Sequence, residues 1–355
     1  MHSPFRLALL ASAGVLAAFT ATGVAQRGAA SNTQAEAVAR IVAAAQGVLT
    51  TLDEPGRART QFPFDSPQKS KWSNLPGPMF QRNGLRLADL TATQRDAVMK
   101  LLSVALSRDG YRKVLDIMHG DEALRKASGA GGQRGGGRGG PGGGGPAFGE
   151  NEYYLAFLGT PSATAPWMLQ FGGHHLAINL TIAASQATMA PSLPATQPAT
   201  YTFEGRTVRP LGNENDQAFA LINALDTTQR SQAVLGYRVA DLVLGPGRDG
   251  QTIQPEGIRA SALSTAQQQM LLGLVREWAG MMHDAFAEPR MAEIRTNLPG
   301  TYFAWSGPTT NGSAAYFRIQ GPTLVIEYAP QNSVDHIHTI YRDPTNDYGK
   351  RLVAK

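Results

Sequence analysis

Between Glu152 and Asp343 two kinds of pattern follow one another, and their order limits the fold more than any other feature of the sequence. Runs rich in β-branched and aromatic residues come in two groups. EYYLAFLG, PWMLQFG, HHLAINLTIA, YTFEG and RTVRPL precede a helical block from about Glu214 to Ala287, and TYFAWSG, AAYFRIQG, TLVIEYAP and HIHTIYRD follow it. Glycine or proline separates neighbouring runs, as hairpin turns require. Strands gathered before and after helices, without regular βαβ alternation, argue for α+β: a mostly antiparallel sheet with flanking amphipathic helices.

Three helix starts share one signal: Leu90-Thr91 with Gln94, Leu225-Asp226 with Gln229, and Leu263-Ser264 with Gln267. Each is a capping box, in which the cap side chain takes an orphan amide and the glutamine reaches back. The intervals differ and the strands between are unlike, so the similarity reads as shared capping chemistry, not duplication. From Ser31 to Leu52 a further helix is expected, with Val38, Ile41, Val42, Ala45 and Val48 on one face. Pro55 to Leu87, including WSNLPGPMFQRNGL, lacks periodicity and reads as a long ordered loop with one short strand at most.

The opening residues, MHSPFRLALLASAGVLAAFTATGVAQ, place Arg6 before an apolar stretch and small residues at the end of it. That is the pattern of a cleaved signal peptide over residues 1–25. The expectation is an exported protein, periplasmic or extracellular, with no stable membrane anchor after cleavage. Residues 26–70 then form an N-terminal helix and linker, and 71–355 one α+β domain. The glycine-rich stretch 129–149 cannot bury enough apolar surface to offset its backbone entropy and is expected to be a disordered insertion. Its two arginines look like an RNA-binding composition, but an exported protein rarely meets RNA. The formal charge of +5 comes from basic residues interleaved with acids, a solvated surface and no sign of a nucleic-acid partner.

Of seven histidines, four fall in two tight pairs: His174 and His175 in QFGGHHLAINL, and His336 and His338 in VDHIHTIY. Strand alternation puts His336 and His338 on one face, about 7 Å apart along the chain. A third imidazole from a neighbouring strand would complete a three-histidine metal site with an open position. The chain has no cysteine, so any metal must be held by His, Asp or Glu. His174 shares a strand face with Leu176, Ile178 and Leu180, the core side, while His175 lies with Ala177, Asn179 and Thr181. His175 is therefore the expected ligand and His174 a buried, hydrogen-bonded residue or an alternative ligand. Gly172 and Gly173 suggest a bulge or a close approach to a ligand. If TLVIEYA and HIHTIYR pair with Ala329 opposite His336, Glu327 stands opposite His338 as ligand, orienter or general base; a one-residue slip would turn it away. His119 and His283 read as surface or structural residues.

Arg82 in QRNGL and Arg342 are candidates to receive an anionic substrate group. Trp167 and Trp305 could wall the pocket, with core burial the competing role. YRDPTNDYG reads first as a rigid turn. The leading functional reading is a metal-dependent hydrolase in which His175, His336 and His338 hold a divalent ion, zinc first, with copper or iron as variants. A non-catalytic protein that binds or senses a metal or small ligand is the alternative. A nucleophilic hydrolase using Ser306 or Ser162 is weaker, since neither lies in a G-x-S-x-G elbow. In each case the partner is a small molecule, and the oligomeric state is not legible.

SRDGYRKVLDIM, YYLAFLGTPSATAPWMLQFGGHHLAINLTI, LVLGPGRDGQTIQPEGI, TYFAWSGPT and GPTLVIEYAPQNSVDHIHTIYRDPTNDYG together resemble the family known as domain of unknown function 3500. The resemblance runs from about Trp72 to Gly349, and the glycine-rich insertion departs from its pattern. It implies one continuous domain. No established activity comes with it, so it assigns no role to Glu327 or to any histidine.

Overall fold

Residues 33–131, 146–331 and 333–353 are described by the computed structural model. The proposed signal segment 1–25 and residues 132–145 of the glycine-rich stretch lie outside them. Helix α1 (residues 33–50) buries Ala37, Val38, Ile41, Ala45 and Val48, the face expected from their spacing. Helix α2 (Glu54–Thr60) and the two-residue strands β1 (Gln61–Phe62) and β2 (Leu85–Arg86) follow. The stretch read as one long loop thus holds a helix, capped by the Asp53 side chain. Helices α3 (Ala92–Ala105) and α4 (Arg108–Gly131) lead to β3 (Tyr154–Leu158), β4 (Trp167–Gly173), β5 (Leu176–Ala183) and β6 (Gln186–Thr188). A link formed by β7 (Leu193–Pro194), β8 (Tyr201–Phe203) and β9 (Arg206–Val208) reaches α5 (Gly212–Ala224) and α6 (Thr227–Ala233). Then come β10 (Ile258–Arg259), α7 (Thr265–Ala279), α8 (Asp284–Asn297), β11 (Tyr302–Ser306), β12 (Tyr316–Gly321), β13 (Leu324–Pro330) and β14 (Ile337–Arg342). The sheets are antiparallel apart from β1 on β3, and the class is α+β. No helix among the described residues is long and apolar enough to cross a membrane.

All three capping boxes form, and two of them mark equivalent places in two copies of one topology. In each half a seven-residue helix with an Asp cap, α2 behind Asp53 or α6 behind Asp226, precedes a segment running parallel to the first strand of a meander, at Gln61↔Phe157 and Val234↔Trp305. A short strand then pairs antiparallel with that same strand, at Leu85↔Leu155 and Ile258↔Phe303. The segments themselves match, GLRLADLTATQ at 84–94 and GIRASALSTAQ at 257–267. Their leading glycines, Gly84 and Gly257, have φ of +115° and +91°, and an added Cβ would lie 2.3 and 2.1 Å from the carbonyl oxygens of Leu155 and Phe303. Only glycine fits both the conformation and the approach.

The reading of shared capping chemistry is therefore corrected to an internal duplication. Its offset is constant at 173 positions from Asp53/Asp226 through Thr91/Ser264. It becomes 148 for Phe157/Trp305 and Gly173/Gly321. The change arises between α3 and β3, where the first half carries a longer helix α4 and the glycine-rich stretch. That inequality, with the divergence of the intervening residues, hides the repeat from inspection.

Each sheet buries one face under its own helices. The first core joins α1, α3 and α4 to Leu155, Phe157, Trp167, Leu169, Phe171, Ile178 and Leu180. The second joins α5, α7 and α8 to Phe303, Trp305, Phe317, Ile319 and Ile326. Between them, strand β7 serves as a seam. On one side it pairs with β5, at Ala177↔Leu193 and Leu176↔Pro194. On the other, its flanking residues Ser192 and Thr196 pair with Tyr341 and Ile337 of β14. A small apolar cluster of Trp72, Ala177, Leu193, Ala195 and Ile340 fills the junction.

Candidate metal centre

The seam brings the two histidine pairs together. Gly173 pairs with Leu176, so His174 and His175 are the two turn residues between β4 and β5, not the first residues of a strand. The face assignment of the following residues holds: Leu176, Ile178 and Leu180 enter the first core, and Ala177 faces the junction. Gly173 is needed for a close approach, but to protein: a Cβ there would meet the Tyr153 ring at 2.7 Å. His175 has φ of +61°, a left-handed conformation that costs a side-chain-bearing residue about 1 kcal/mol or more. Its backbone is held from both sides, the amide donating to Asn74 (3.2 Å) and the carbonyl accepting from Ala195 (2.8 Å).

This turn aims His175 at β14. His175 Nε2 lies 2.9 Å from His336 Nε2, which lies 3.0 Å from His338 Nε2. The ligand atoms of all three lie within 4.8 Å of one another. Hydrogen bonding cannot satisfy the set. A protonated ring nitrogen donates once and accepts nothing, and an unprotonated one has a single lone pair; His336 Nε2 therefore cannot make a full bond to both neighbours. A shared cation resolves the conflict. Ligands about 2.0–2.1 Å from one ion lie about 2.9–3.4 Å apart for right-angle to tetrahedral geometry, and the separations of His336 from His175 and from His338, 2.9 and 3.0 Å, fall in that range.

The surroundings favour the neutral form of His175 and His336, the form that binds metal. Burial and the neighbouring histidines His174, His338 and His336 hold the His175 imidazolium well below its ordinary value. Burial, with His338 and His174, brings His336 down to about 4, against a smaller opposing effect of Asp241. His338 Nδ1 faces Asp241 Oδ1 at 3.4 Å, the outer carboxylate that commonly orients a ligating imidazole. Burial opposes the Asp241 charge, yet the hydrogen bonds of His338 and the Leu242 amide prevail, and its carboxyl lies below the ordinary value. Gln331 Nε2 also donates to Asp241 (2.6 Å), and Asn74 Nδ2 lies 3.1 Å from His338 Nε2. His336 is half-buried, so one side of the cluster meets solvent.

His174 is bonded elsewhere: its Nδ1 lies 2.5 Å from Asp121 Oδ1, which makes it the buried, hydrogen-bonded member of the pair. Glu327 is not brought to the cluster. β13 and β14 pair with Ala329 opposite His338 and Glu327 opposite Ile340, two residues from the expected register, which keeps the face but moves the carboxylate along the strand. There it accepts the amides of Val243 and Leu244 (both 2.7 Å) and the Tyr316 hydroxyl (2.8 Å). It anchors a loop and is not placed to act as ligand or base.

The expected anion receivers are likewise committed to protein. Arg82 Nη2 donates to the carbonyls of Ser73, Leu75 and Gly173 at 2.6–2.8 Å, which clamps the Asn74 loop to the histidine turn. Arg342 is 1 % exposed and bonds the Leu244 and Gly245 carbonyls, Asp249 and Asp347. Trp167 and Trp305 lie fully in the two cores. The Ser306 and Ser162 hydroxyls are taken up by backbone groups. His283 caps α8, and His119 stacks on Phe203 at 4.0 Å. Asn74, Asp121 and Asp241 were not legible as site residues. Only Asn74 carried a signal, its place in the non-periodic, aromatic WSNLPG stretch.

Residues 34–350 match the family described as protein of unknown function (DUF3500). The chain belongs to that family. The match spans both halves, so the duplicated pair with its glycine-rich insertion is the DUF3500 unit in this chain. No curated protein and no solved structure matches it.

Proposed function

We propose that this DUF3500 protein is an exported metal-dependent enzyme of the hydrolase type, with His175, His336 and His338 as the ligands of one divalent ion, zinc first. The observation that supports it most is the convergence of three imidazole nitrogens that no set of hydrogen bonds satisfies. When bound, such an ion supplies Lewis acidity at neutral pH. The half-buried His336 leaves a side open for a small-molecule substrate, which favours catalysis over a closed structural site. The protein's own part is to keep His175 and His336 neutral, to orient His338 through Asp241, and to fix His175 through its pinned backbone.

The test is metal titration of untagged protein. Wild type is expected to bind one zinc per chain, and His338→Ala to lose at least a hundredfold in affinity with an unchanged circular-dichroism spectrum. Wild type that takes up no zinc, copper, iron or manganese, or a His338→Ala variant that binds as well as wild type, overturns the proposal.

A further inference from the structure

One buried carboxylate stands against the centre without facing its three ligands. Asp121, on α4, is 1 % exposed. Its Oδ1 lies 2.5 Å from His174 Nδ1 and its Oδ2 accepts the Gly149 amide at 2.7 Å. Asp121, His174 and His175 are close enough together to suggest a second ion. Two ligands at about 2.0–2.1 Å and a right angle lie about 2.9 Å apart, however, so at 2.5 Å Asp121 and His174 are bonded to each other. His174 then covers His175, ring centroids 3.6 Å apart and planes 30° from parallel, and Phe148 packs on His174 at 4.8 Å.

The duplication says where this arrangement comes from. The turn of the second half that corresponds to His174-His175 is Pro322-Thr323, which offers no imidazole. Helix α8 has 14 residues against 24 in α4. Phe148 and Gly149 belong to the return from the extra segment, which only the first half contains. Their ordered packing corrects the expectation that the insertion is disordered up to 149. A side chain at Gly149 would be strained by its φ of +125°, and its Cβ, 2.9 Å from Arg125 Cδ and Glu122 Oε2, would push those two side chains aside.

We infer that Asp121, fixed by the Gly149 amide, is a positioning residue for the metal centre: it locks His174, and the His174 ring sets the orientation of His175 and hence of its Nε2. The inference rests on the metal reading above.

A double-mutant cycle on the full chain tests it, read by zinc affinity and by the visible spectrum of the cobalt-loaded protein. Asp121→Asn and His174→Phe are each expected to weaken zinc binding 10- to 100-fold and to shift the cobalt bands. Once His174 is Phe, Asp121→Asn should add nothing, because the carboxylate acts through that ring. Gly149→Ala, which displaces the donating amide, should reproduce the shift. Circular dichroism of the metal-free variants controls for folding. Wild type that binds zinc while Asp121→Asn keeps its affinity and spectrum overturns this inference alone, as do fully additive effects of the two substitutions. Wild type that binds no zinc overturns the metal reading and this inference with it.

Discussion

At His175 the backbone takes a left-handed conformation that glycine tolerates far better. An imidazole held there, with amide and carbonyl both pinned, is where strain and chemistry coincide. The same crowding makes His336 a pH-sensitive residue in the metal-free protein. It charges near 4 when folded but near 6.5 when unfolded. Between those values the unfolded chain binds more protons, so this contribution to stability is whole above about pH 6.5 and is lost as pH falls toward 4. Urea midpoints at about pH 7 and about pH 5 should therefore converge in His336→Asn relative to wild type; equal pH sensitivity of the two proteins contradicts the assignment. Glu327 gives the contrasting case. Its carboxyl is raised by burial in spite of the Val243 and Leu244 amides and the Tyr316 hydroxyl. Glu327→Gln should cost about 1–3 kcal/mol in denaturant unfolding and leave zinc stoichiometry unchanged; loss of zinc would restore Glu327 to the site.

At the scale of elements, much was legible where the cause is local. The three capping boxes and the principal strand runs follow from side-chain chemistry a few residues apart, and all of them form. What depends on distant partners was not. The register of β13 and β14 fell two residues from expectation because Pro330 and Gln331, read as loop, continue the pairing: Pro330 stands opposite Ile337 and the Gln331 amide donates to the His336 carbonyl. The two-residue strands β2 and β10 show no periodicity and are defined by what their glycines abut. Gly84→Ala and Gly257→Ala should each destabilise the protein by about 3 kcal/mol or more, since both strain and a backbone clash are introduced. Thermal unfolding checks this, and a loss below about 1 kcal/mol at either position would count against their equivalence.

At the scale of the molecule, duplication supplied two similar halves and the site uses only their junction. His175 comes from a turn of the first half, His338 from the last strand of the second and His336 from the residue just before that strand. The sequence could show two histidine pairs and the chemistry suited to them, but their meeting depends on a seam strand of two residues. Asp121 and Asp241 were invisible for the same reason: nothing near them in sequence marks a carboxylate that ends beside an imidazole. The central claim is that the halves meet to build one three-histidine metal site. X-ray absorption at the zinc edge of protein loaded with one equivalent of zinc tests it most directly. The expected result is a nitrogen shell at about 2.0–2.1 Å with the outer-shell scattering of three imidazoles, reduced to two in His175→Ala. A shell of oxygen alone, or one unchanged by that substitution, would contradict it.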